Sequence, residues 1–173
     1  MSTINPTSIH VPERATVSLV RSTALAGLAI GVLGGADMLI FYYLTQGTSP
    51  VLFLQYIASG LLGLPAFAGG YTTALLGVLL HFVISFVVAA VFILAARWIA
   101  LVRRTVFVSA LVFGAAVYLF MGAVVLPLSA APKLPVSTVV VVHGLIADAV
   151  FIGLPLAIIV WRNAHVNKAI ATA

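Results

Sequence analysis

Cysteine is absent from this 173-residue chain, and charge is scarce: eight Lys and Arg with three Asp and Glu make up 6% of the residues. Without thiols there are no disulfides, no thiolate metal ligands and no iron–sulfur clusters. With so little charge there is no surface for water, since a soluble domain carries about 25% charged residues. The chain is 64% hydrophobic with a mean hydropathy of +1.29, so lipid bilayer must be its solvent. The formal net charge of +5 would suit a nucleic acid if the basic residues formed a patch. They fall instead at the ends of apolar runs, where membrane topology accounts for them, and no nucleic-acid partner is expected. The short signatures of enzymes are missing too. There is no G-x-S-x-G, no P-loop and no H-E-x-x-H, and no catalytic residues are assigned.

What is present is four long apolar runs, at 23–45, 71–99, 105–128 and 137–161. Each exceeds the roughly 20 residues that a helix needs to cross hydrocarbon. None alternates with period two, so each reads as a helix. The fold class is all-α, a four-transmembrane-helix bundle in one membrane domain, 23–161. Residues 1–22 read as a tail with a short helical lead-in, and 162–173 as a second tail. The first run is about 23 residues, longer than a signal-peptide core, and no A-x-A pattern follows it. Arg14, Arg21, Arg97, Arg103, Arg104, Arg162 and Lys168 all fall on one side, and only Lys133 on the other. By the positive-inside rule both termini are expected in the cytoplasm. Trp98 and Trp161 would flank the inner boundary, and Tyr42, Tyr43 and Tyr71 the outer one.

The outer segment 46–70 carries no charge. Ser49 and Pro50 form an N-cap and first helical residue, so 50–62 reads as a helix. At about 1.5 Å per residue it spans only about 20 Å and cannot cross. It is expected to be re-entrant or interfacial, with Gln55, Ser59 and Gly63 on one face.

Small residues mark the faces on which membrane helices meet. At a spacing of four, the first run shows Gly27, Gly31 and Gly35; the second Thr73, Gly77, His81, Ser85 and Ala89; the third Ala110, Gly114, Tyr118 and Gly122; the fourth Val140, Gly144, Asp148 and Ile152. These lines are expected to face one another.

Some members of those faces are expensive in lipid. Inserting an aspartate at a helix centre costs about 2.5–3.5 kcal/mol. Counting about 1.5 Å per residue from the outer ends puts Asp37 about 12 Å deep, His81 and Tyr118 about 15 Å, His143 about 9 Å and Asp148 about 16 Å. Four helices thus bring polar groups to one layer. Asp37 follows the glycines of "GVLGGADMLI" and would point inward beside His81. The layer suits a proton or small-solute site, with Asp37 and Asp148 titrating, His81 as their partner, and Ser85 and Gln55 as further candidates. It equally suits a structural or accessory protein in which the same groups are interhelical locks. A third reading is metal or haem held by His81 and His143, although no helical ligand signature supports it. No cofactor is expected. Ser85 would bond its own helix backbone. His143 and Asp148 are about 140° apart around their helix, leaving one free for a neighbouring subunit in a homo-oligomer. Pro155, about two turns past Asp148, would supply a bend.

"HFVISFVVAAVFILAARW" and "HGLIADAVFIGLPLAIIVW" align on their histidines, a hint that the chain is two duplicated hairpins. Together with "GVLLHFVISFVVAAVF", "YLFMGAVVLPLSAAPKLP" and "HGLIADAVFIGLPLAIIVWR", the second half resembles the YagU-like bacterial inner-membrane proteins. That resemblance implies a polytopic inner-membrane protein and supplies no mechanism. The chain departs from it in its uncharged outer segment and in carrying Tyr118 where a histidine is usual.

Overall fold

The computed structural model describes the backbone of residues 13–171 and the side chains of residues 19–164. Helix α1 (Glu13–Gln46) is followed by the short α2 (Pro50–Leu62), a 3-10 turn at Leu64–Ala68, and α3 (Gly70–Trp98). A five-residue α4 (Ala100–Arg104) leads into α5 (Val106–Phe120). A π turn at Met121–Val125 continues α5 into α6 (Leu126–Leu128). The last crossing is α7 (Thr138–Phe151) and α8 (Gly153–Ala171). Four segments are long and apolar enough to cross a membrane: Leu19–Gln46, Gly70–Trp98, Val106–Leu128 and Thr138–Ala164. The protein is an all-α, four-span, multi-pass membrane protein, with no strand among the described residues. α1 and α8 run past the boundaries read from hydropathy, because a helix need not stop where its apolar stretch does.

Lipid as solvent shows in the packing. Large aliphatic side chains such as Leu44, Leu79 and Val112 point outward, while most of the interior is alanine, glycine and serine around a few large side chains such as Phe92 and Leu156. Small residues let backbones approach, and dispersion and hydrogen bonds replace a hydrophobic drive that lipid cannot supply. Tyr71 and Trp98, both more than 80% exposed, stand at opposite ends of α3, where amphipathic rings meet headgroups.

Two halves make up the bundle. In the first, α1 packs on α3, and α2 lies across the N-terminal part of α3. In the second, α5 packs on α7 and α8. The start of α1 and the end of α8 lie at one end of the bundle (the terminal end), with α2 and the 129–137 connection at the other (the loop end). The glycine lines serve mainly within halves. Added β-carbons at Gly27 and Gly31 would strike Phe86 and Phe82 of α3, and one at Gly35 would stand 3.1 Å from His81 Nε2. Gly114 lies against the main chain of Asp148 and Ala149, and Gly144 against the ring of Tyr118. Gly77 faces α2 rather than another span, with the carbonyl of Leu54 directly upon it. Gly122 is a correction to the packing line: a side chain there would meet nothing within 4 Å. The π turn is wider than an α turn, so it rotates the helix and ends the line at Tyr118.

Prolines shape two spans. Pro127 cannot donate to the carbonyl of Ala123, and the π turn lies there. Pro155 likewise leaves the carbonyl of Phe151 without its helical donor, and α7 gives way to α8 at Ile152. In α2, Ser49 Oγ accepts from the amide of Leu52 at 3.2 Å, and Pro50 opens the helix. Gly63, at φ +64°, ends it in a conformation that only glycine adopts freely.

Candidate functional site

Two of the chain's three acidic residues, Asp37 and Asp148, lie within crossing segments. Asp37 sits on α1 two residues past the glycine groove. It is turned to α7, where His143 Nε2 lies 3.5 Å from its Oδ1, an ion-pair distance. One turn further along α1, Phe41 stacks flat on the same imidazole, ring centroids 3.6 Å apart at 10°. The spacing of four places Asp37 and Phe41 on one helix face, and together they clamp His143 edge and face. The second carboxylate oxygen, Oδ2, is buried and has no hydrogen-bond partner.

Asp148 is half-buried on the same helix as His143, within electrostatic reach of Asp37 and of Tyr118 of α5. α7 is flanked by α1 and α5, and His143 turns to α1. Tyr118 rests its ring on Gly144 and donates its hydroxyl to the carbonyl of Val140 at 3.3 Å. Tyr42, next to Phe41, meets the ring of Phe53 of α2 with centroids 4.8 Å apart. Burial pushes the Tyr56 phenol above its ordinary range, so it stays a hydroxyl and donates to the carbonyl of Pro132 at 3.3 Å.

His81 is the main correction. It does not partner Asp37: its Nε2 lies 3.0 Å from the backbone carbonyl of Gly31, six residues earlier on α1. A carbonyl only accepts, so Nε2 carries the proton and the ring is a donor to a neighbouring helix. The approach is open because Gly31 and Gly35 have no side chains in the way. At about 1.5 Å per residue, the α1 partners of His81 and His143 stand about 9 Å apart. The two imidazoles thus have separate partners on α1, and no cluster of three or more potential metal ligands forms among the described residues. The aligned histidines also occupy unlike surroundings, since both turn to α1, which is the hairpin partner of only one.

Ser85 is buried and donates to the carbonyl of His81 one turn back, at 2.8 Å. Gln55 is buried at the loop end, outside the layer. Its amide donates to the carbonyl of Gly70 at 3.1 Å and approaches Thr73 Oγ1 at 3.4 Å, fastening α2 to the start of α3. The polar face of α2 is thus the inward one, and Leu52, Leu61 and Leu62 point outward. Phe41 and Tyr56 escaped the sequence reading, and Tyr42 entered it only as a boundary aromatic. The Asp37–Phe41 spacing was the available signal for the first; nothing local marked Tyr56.

No family model matches the chain, and no curated protein or solved structure does so either. Fold and site together define a multi-pass α-helical membrane protein with an intramembrane Asp–His centre.

Proposed function

We propose that the protein is a small proton-linked transporter or channel-like protein, with Asp37, His143 and Asp148 as its titrating centre. The observation that carries this is the orphaned oxygen of Asp37. A carboxylate kept only to lock helices would satisfy both oxygens, because an unpartnered buried polar atom costs about 1–3 kcal/mol. His81 on Gly31 shows what a lock looks like in this molecule: one donor, one acceptor, 3.0 Å. Asp37 has an aromatic-clamped imidazole on one oxygen and nothing on the other, with a second carboxyl within electrostatic reach. Groups so placed in spans take up and release protons or line a solute path. In this reading the membrane is a bacterial inner membrane, as the YagU-like resemblance implies, with both termini cytoplasmic.

The test is proton flux into vesicles containing the purified protein and a pH-sensitive dye. Asp37→Asn and Asp148→Asn keep shape and remove the titrating proton, and each is expected to lower flux at least tenfold, a rise of about 1.4 kcal/mol or more in the barrier. Folded variants with unchanged flux would sink the proposal. They would leave the second reading, a structural membrane protein, which the His81, Tyr118 and Gln55 hydrogen bonds favour.

A further inference from the structure

The two halves are joined differently at their two ends. Toward the terminal end they share one apolar cluster. Ala26 and Ile30 of α1 and Ala89, Phe92 and Ile93 of α3 meet Val106 and Ala110 of α5, Ile152 at the α7–α8 junction, and Leu156 and Ala157 of α8. Asn163 Nδ2 adds a hydrogen bond to Ser22 Oγ at 2.7 Å across the same end. The cluster's buried members stop at Ile30 on α1 and at Ala89 on α3, with Val88 of α3 and Phe113 and Val117 of α5 packed against them.

Beyond it the halves touch through a thin, mostly polar seam. Its elements are Asp37 against His143, Phe41 stacked on His143, the amide of Ala130 donating to the carbonyl of Gly60 at 3.0 Å, and Tyr56 donating to Pro132. Each side of the seam is firm in itself. α2 is held to α3 by Gln55 and by the seating of Leu54 on Gly77. The facing connection is held by Lys133, whose ammonium donates to the carbonyls of Leu126, Ser129 and Ala131 at 2.6, 2.8 and 3.0 Å. Two firm bodies with an apolar joint at one end and a few polar contacts at the other have one soft motion: parting at the seam.

We propose that this seam, between α2 and the connection at 129–132, is a gate: the halves part at the loop end, pivoting on the apolar cluster, and open the Asp37–His143 centre to that side. The centre lies on the opening plane, since Asp37 belongs to one half and His143 to the other. Tyr42 and Phe53 lie just beyond it toward α2 and form its inner lining. The flux part of the test rests on the proton-linked reading, whereas access to His143 does not.

The chain offers a clean way to close the seam. It has no cysteine, and a β-carbon on Gly60 would lie 3.9 Å from that of Ser129, within the span of a disulfide. G60C/S129C protein in vesicles is expected to form that single disulfide on oxidation. Carbethoxylation of His143 by diethyl pyrocarbonate, followed by mass spectrometry, should then be about tenfold or more slower than in the reduced protein. Proton flux should fall with it and return on reduction. Failure of the disulfide to form, or equal modification of His143 in both states, overturns the gate. Redox-controlled modification without flux in any form upholds the gate and removes the proton-linked reading; steady flux with equal modification does the reverse. If the double variant does not fold, Tyr56→Phe decides: loss of its bond to Pro132 should speed His143 modification, and an unchanged rate overturns the gate.

Discussion

At the scale of single residues, the molecule separates two kinds of buried polar group. His81, Tyr118 and Gln55 each find a backbone carbonyl on another segment. Such interhelical bonds are worth about 0.6 kcal/mol on average in a membrane, reaching about 1.7. His81→Phe is therefore expected to lower the unfolding free energy in detergent by an amount in that range and to leave proton flux near the level of the unsubstituted protein. A loss of flux as deep as that of Asp37→Asn would return His81 to the centre. Asp37 is the other kind, with one oxygen answered by His143 and one by nothing. Its isosteric amide should hold the fold, and the variant should differ from the parent in function rather than in stability.

At the scale of elements, close approach decides what can be changed. α2 lies backbone-to-side on α3 at Gly77, so Gly77→Val must push the Leu54 main chain away. Thermal unfolding and proteolysis of the loop end should show α2 loosened, with a loss of about 1–3 kcal/mol typical of overpacking. Gly122→Ala, which meets open space, should be neutral or slightly stabilising. Lys133 gathers three carbonyls at the end of the third span, where an ammonium also answers the helix dipole. Lys133→Met should raise hydrogen exchange across 128–135 while leaving 138–150 as it was.

At the scale of the whole molecule, the apolar cluster is where the halves become one protein. Phe92 is 2% exposed within it, and Phe92→Ala should cost about 3–5 kcal/mol through the cavity left behind. Phe41, half-buried in the seam, should cost less on the same change, measured by the same unfolding assay. Comparable losses would mean that the loop end is as firmly packed as the terminal end, contrary to the asymmetry of the contacts.

Much of this was legible in the residues. Four apolar runs too long for anything but crossing helices, the Ser49–Pro50 start of α2 and the inward glycines of α1 follow from hydropathy, capping and size, which are properties of short stretches. The polar layer was legible as a layer, because depth along a helix is only residue count times rise. Which members meet was not, because that depends on the rotation and crossing of helices distant in sequence. Gly31 and Gly35 opened a path for His81 to the α1 backbone, and the flanking of α7 by α1 and α5 gave His143, not His81, to Asp37. The π turn at Pro127 removed Gly122 from its line by the same kind of rotation. Sequence alone determined that the chain dissolves in lipid as four helices carrying buried carboxylates. Tertiary structure decided their partners, because in lipid the pairing of helices is set by shape and hydrogen bonding across the whole contact rather than by the pattern along any one of them.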